Sequence, residues 1–381
     1  MQPGNGRWSN GATHCGMCLR KRWSREIAAI VVAAAVGAAL LNGCGGDGET
    51  PSSGPVGWAI GTRNPDRSAV ILHTANGGSN WDAQGDTSLW TGHCGTDISA
   101  VDHQTAWAAL CGFDNEDGLI LHTTNGGVTW AIQTLPGAVP DAVKGIKGIS
   151  PSEAWAVGLQ GPVMHTLDGG QTWAIVPTEG ITIRQVNRMD VLGDDIWIAD
   201  YGSGDRGMIH SADNGRTWRQ EQLPSVEPGH GPMTASIVNS EVAWTTVNYQ
   251  GDIYRTQDGG TTWNLDAPGV SGANDIDDLS AVNDHEVWAV QNQLTVGIVL
   301  RVSLSGSQVD KKEWHFPYVY EGVSAFNESM AWIVGFKPPG GNPSLPDGSI
   351  LRTSDGETWT SQPLPVNNVG LWKVSFVGAH R

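Results

Sequence analysis

The chain has 381 residues, 51 of them Gly and 18 Trp, with only 16% charged, a balance that favours a turn-rich all-β protein over a helical bundle and excludes long disorder. The formal charge is −17. The segment through Cys44 holds Arg7, Arg20, Lys21, Arg22 and Arg25 against Glu26 alone, so the body carries about −21 and repels phosphate backbones; nucleic acid is not an expected partner.

In chain order, Cys15 and Cys18 form a lone CxxC with no second pair for zinc and no context for thiol chemistry, and no role follows from it. Met17 stands just before a basic run, Arg20 to Arg25, and is an alternative start. The apolar stretch from Ile27 to Leu41 is about the length of a signal-peptide core and short for a membrane span. It ends in Leu41-Asn42-Gly43-Cys44, which resembles a bacterial lipobox, with Asn42 departing from the usual small or apolar residue. Residues 1–44 are therefore expected to be a signal and lipoprotein leader, with Cys44 lipidated; a cleaved secretory signal or an uncleaved short anchor are the alternatives. Residues 45–55, rich in Gly, Ser and Pro, read as a tether. The expected location is the cell envelope, periplasmic or at the outer surface, with a lipid chain as the link to a membrane.

Residues 56–381 hold one unit seven times. Each unit contains a short apolar strand around a Trp: Trp58, Trp107, Trp155, Trp197, Trp244, Trp288 and Trp332. A turn signature of the type S/T-x-D-x-G-x-T-W follows, ending at Trp81, Trp130, Trp173, Trp218, Trp263, Trp314 and Trp359; the sixth is eroded and the seventh one residue short. Asn76, Asn125, Asp168, Asp213, Asp258 and Asp355 occupy its acidic position and are expected to be structural. In the third unit Thr166 and Asp168 can accept turn N–H groups, Gly170 can take a positive φ, and Trp173 can cover the turn. A spacing of about 45 residues predicts four-stranded blades and a seven-bladed β-propeller. The first unit lacks an inner strand and a surplus strand, Gly370 to Gly378, follows the last, so the C-terminal strand is expected to close the first blade. Cys94 and Cys111 flank a hairpin centred near His103 and are placed to form a disulfide in an oxidising compartment.

The turn signature matches the Asp box, or bacterial neuraminidase repeat. Seven such blades after a leader resemble the photosystem II stability and assembly factor family and its non-photosynthetic bacterial relatives. That resemblance implies a scaffold holding a membrane-protein assembly partner through a basic patch, and no such patch stands out here. Sialidases share the box but use six blades and an arginine triad; Arg63, Arg67, Arg184, Arg188 and Arg206 are scattered instead. Xyloglucan-cleaving enzymes pair two such propellers, and this chain has length for one.

His73, His122, His165 and His210 recur directly before the box, with Arg255, Arg301 and Arg352 in the later units. Neighbouring sheets lie about 10 Å apart, whereas zinc holds its ligands at about 2 Å, so these residues do not share an ion and no metal or cofactor is expected. Acid neighbours Asp194 and Asp195, Asp275, Asp277 and Asp278, and Asp114, Glu116 and Asp117 read as solvated turns, and no GxSxG, HExxH or P-loop pattern occurs. No catalytic role is expected. The candidate binding face comprises loops bearing Trp90, His93, Tyr201, Arg206, His230, Tyr249, Tyr318 and Tyr320, with the segment from Phe336 to Gly348. A protein-binding scaffold or assembly factor is the leading expectation; a carbohydrate-binding or glycoside hydrolase-like propeller, with a glycan as ligand, is the alternative.

Overall fold

A computed structural model describes residues 54–378 apart from 114–116, 138, 140–141, 203–206, 271, 273 and 339–346. The expected leader with Cys44, most of the expected tether, Arg206 and the centre of the 336–348 segment lie outside the described residues. The rest forms seven four-stranded antiparallel sheets, each a blade of a β-propeller, with one short 3-10 turn at Thr87–Trp90 among the described residues.

The Trp-centred motif is the second strand of each blade. In blade 3 it is Ala154–Gly158, buried throughout, between the innermost strand Val143–Gly148 and the third strand Val163–Thr166. A blade is covered on both faces, so this strand is a continuous apolar run in which alternate side chains serve opposite neighbours. In blade 2, Trp107 and Ala109 join the core shared with blade 3, while Ala106, Ala108 and Leu110 join the core shared with blade 1. Seven apolar clusters result, one for each interface between blades.

Closure is by the C-terminal strand. Val369–Phe376 is the innermost strand of blade 1, paired antiparallel with Gly57–Arg63. Blade 7 seals against it: the ring of Trp332 stacks on Phe376 at 3.6 Å, and its indole N–H donates to Gly77 O of the first box at 3.0 Å.

The box chemistry is local and repeated. In blade 3 Thr166 Oγ1 accepts the Gly170 N–H at 3.0 Å, and Asp168 accepts the Thr172 N–H at 2.9 Å and its hydroxyl at 2.6 Å. Asp213 and Asp258 make the same pair of bonds with Thr217 and Thr262, and Asp355 with Thr358. Asn76 and Asn125 keep the backbone bond, to Asn80 and Thr129 respectively, and the Asn125 amide donates to the Thr129 hydroxyl where a carboxylate would accept. The His and Arg residues before each box stack on the Trp of their own second strand: His122 on Trp107 at 3.5 Å, His210 on Trp197 at 3.6 Å, and Arg255 over Trp244 at 5.2 Å.

Candidate functional site

The inner strands converge on a central channel. Its carboxylates come from Asp97 in blade 2, Asp190 in blade 4 and Asp278 in blade 6; its cations are Lys147 in blade 3, Arg188 in blade 4 and Lys373 on the closing strand. Every carboxylate is committed. Asp97 accepts the N–H groups of Ile98 and Ile146 at 2.9 and 3.0 Å, and Asp190 those of Val191 and Ile237 at 3.0 and 2.8 Å, with Lys147 at 2.7 Å. Asp278 binds Lys373 Nζ, Arg188 Nε at 3.2 Å and the Val323 N–H at 3.0 Å. Burial raises the Asp97 carboxyl above its usual range, against the pull of Arg188 and Lys373. Burial also pushes Asp278 up, but Lys373 and Arg188 reverse this and hold it below its usual range. Lys373 is brought down to about 8 by burial and the Arg188 charge, opposed by Asp278 and Asp97.

This corrects the reading of Asp277 and Asp278 as parts of a solvated turn: both lie in the inner strand Ile276–Ala281, where Asp277 accepts from the Asn292 amide at 2.8 Å and Asp278, 6% exposed, anchors blade 6 to blades 4 and 1. Asp195, 8% exposed, is likewise interior, 3.1 Å from the buried His210 ring. With three cations balancing three carboxylates, each bonded to its neighbours, the channel is a structural plug.

On the face formed by the loops leading into the inner strands, the expected binding residues separate. Trp90 is 1% exposed; its indole N–H donates to Ala69 O at 3.0 Å and its ring fills the core between blades 1 and 2. Tyr320 is fully buried, with its hydroxyl 3.5 Å from Ser349 Oγ. Both therefore leave the proposed face: Trp90 packs into the core between blades 1 and 2, and Tyr320 lies within the inner strand Val319–Ala325 of blade 7, in the core shared with blade 6. His93 is half-buried at the start of the blade 2 inner strand, and Tyr318 is half-buried 6.2 Å from Tyr320.

Three residues do come together, on blades 4 and 5. The half-buried Tyr201 follows the second strand of blade 4, and its hydroxyl accepts from the Gln185 amide. Tyr249, 53% exposed, follows the second strand of blade 5 with φ at 59°. Its N–H donates to Asp275 at 2.5 Å, which holds this left-handed turn at a residue other than glycine. The His230 ring is 5.6 Å from that of Tyr249, and the adjoining Gly231 and Asn248 lock their two loops through Gly231 N–H to Asn248 Oδ1 at 2.8 Å and Asn248 N–H to Gly231 O at 3.1 Å. Burial raises the Tyr201 hydroxyl above its ordinary range, reinforced by Tyr249, Asp200 and Asp275. Sequence reasoning passed over Gln185 and Asn248 and read Asp275 only as part of a solvated turn; the signal, visible only after blade alignment, is that each falls where a loop enters or leaves an inner blade position.

On the same side of the ring, in blade 2, Cys94 and Cys111 stand opposite each other in the first two strands, their Cα atoms 5.1 Å apart, and are joined as a disulfide. Among the described residues no group of three or more His, Cys, Asp or Glu side chains is placed to hold a metal ion.

Residues 133–293 match the family model for the photosynthesis system II assembly factor YCF48. A photosystem II assembly lipoprotein Ycf48 of Synechococcus sp. (strain CC9902) is 26% identical over 185 residues, covering 47% of this chain and 49% of that one. The chain thus spans about half the length of the curated relative that it matches. The solved structure of YCF48 bound to D1 peptide superposes with a TM-score of 0.52 at 16% identity, over 74% of this chain and 91% of that one. YCF48 from Cyanidioschyzon merolae gives 0.52 at 13% identity, over 75% and 96%. At these identities the structural likeness speaks for the fold, and in both sequence and fold the chain resembles the photosystem II assembly factor family.

Proposed function

We propose that this propeller is a non-catalytic, protein-binding scaffold or assembly factor, exported and lipid-anchored at Cys44, which docks its partner on the face carrying Tyr201, His230 and Tyr249. The observation that carries the reading is Tyr249: a large aromatic ring held out to solvent in a left-handed turn, braced by Asp275 and flanked by the His230 ring, with Tyr201 near enough to feel its charge. Exposed aromatics fixed in place are what protein interfaces use as anchors, because little side-chain freedom remains to be lost on binding. The similarity to an assembly lipoprotein, and to a propeller solved with a peptide, supports the same class of role. The disulfide supports export, since such bonds persist in oxidising compartments. The basic run, apolar run and Cys44 support the anchor, with residues 45–55 as tether.

A glycosidase needs carboxylates free to exchange protons with substrate. Asp97, Asp190 and Asp278 spend their oxygens on backbone N–H groups and cations, which favours the binding role. The test is affinity capture from native membranes with the tether intact, comparing wild type with Tyr249→Ala and His230→Ala. Loss of a specific partner is expected; equal recovery of every partner would sink the face. Absence of a lipid on Cys44 by mass spectrometry would overturn the anchor.

A further inference from the structure

Blade 6 differs from the other six at the rim. Their outermost strands have two to four residues, whereas that of blade 6, Gln308–Phe316, has nine. It follows Val296–Ser305 through a tight turn with Gly306 at φ 62°, in place of the eroded box. Among the described residues this strand pairs on one side only, and residues 308–313 are all exposed. A long open edge is a template for another strand, and the short rims of the other blades avoid offering one.

The register decides which atoms are on offer. Ser305 lies opposite Gln308 across two turn residues, so even-numbered residues bond inward and Val309, Lys311, Glu313 and His315 turn their N–H and C=O outward. Leu304, opposite Val309, accordingly sends its N–H away from this strand, to His285 O at 2.8 Å. Two antiparallel copies must match outward residues with outward residues. Centred on Lys312, the overlap spans all nine residues and sets Lys311 against Glu313 and Val309 against His315, each pair twice. Lys312 itself, on the axis, is drawn aside by Glu357 of blade 7.

Charge favours a copy over a peptide of one sign. Two bodies from a chain of net charge −17 repel, yet this edge balances Asp310 and Glu313 against Lys311 and Lys312 and is locally neutral. We propose that Gln308–Phe316 is a homodimer seam, joining two molecules edge to edge through blade 6 in one continuous eight-stranded sheet. This is independent of the partner face on blades 4 and 5.

Sedimentation velocity of the full chain in mild detergent tests it. Wild type is expected to dimerise, and Glu313→Pro to weaken the dimer at least about tenfold by removing an outward N–H that the blade does not use. If that variant fails to fold by circular dichroism, the charge variants decide. Lys311→Glu and Glu313→Lys are each expected to be monomeric, while their equimolar mixture forms a heterodimer because the acid and base patterns then complement. A wild type that stays monomeric at tens of micromolar, or a dimer indifferent to these substitutions, would overturn the seam.

Discussion

At the scale of single residues, the box is a set of small polar contacts whose removal has a defined cost. Thr166 is 1% exposed and its hydroxyl oxygen takes the buried Gly170 N–H. Thr166→Val keeps the shape and orphans that donor, so stability is expected to fall by about 1–3 kcal/mol, read from urea unfolding followed by Trp fluorescence. The stacked histidines set an acid limit. Burial brings His122 down to about 4 and His210 to about 3, below the usual 6.5. The unfolded chain then binds more protons than the folded one between those values, so stability declines as pH falls from about 6.5 towards 4 and below. His122→Phe retains a ring on Trp107 and removes one titrating group; its melting temperature is expected to drop less than that of wild type between pH 7 and pH 5. The box carboxylates act lower still: hydrogen bonds from Thr217 hold Asp213 at about 2, and that contribution disappears only as pH falls through its folded value.

Among elements, the blades are tied in one direction: the second-strand Trp residues of blades 2, 3, 4 and 7 reach under the box of the next. Trp155 of blade 3 lies against Gly215 of blade 4, where a Cβ would sit 2.8 Å from Cη2, and Gly215 has φ at 77°. Gly215→Ala meets both the ring and the left-handed backbone, and is expected to cost more than about 1 kcal/mol, measured as a shift in the denaturant midpoint. This layer of the fold was legible in the sequence because it repeats: the Trp strand and the box recur in register, local chemistry dictates them, and against that repeat the one missing inner strand stands out. The candidate site was less so. Tyr249 and His230 belong to loops of unlike length, and Trp90 and Tyr320 look the same in a sequence yet turn inward. The channel ions were hidden for a different reason. Arg188 and Asp278 are 90 residues apart, and each alone resembles any polar residue in a strand.

For the whole molecule, the plug and the closing strand are one device. Lys373 arrives on Val369–Phe376 and meets Asp278 across the channel, with Arg188 on the same carboxylate. Asp278→Asn leaves two buried cations without their main counter-charge and is expected to cost about 3–5 kcal/mol, while Asp275→Asn, at the mouth, costs far less. Differential scanning calorimetry of the two variants checks the contrast; equal losses would mean that the cluster is not what holds blades 1, 4 and 6 together.

Because blade 1 is finished by its last strand, a chain cut just before Val369 leaves the inner edge of Gly57–Arg63 open and a bare apolar flank on blade 7. Such a product would be adhesive and easily digested, and the complete one sealed. Proofreading of synthesis thus comes with the topology: a protease needs no signal beyond an unclosed ring to tell an unfinished molecule from a finished one.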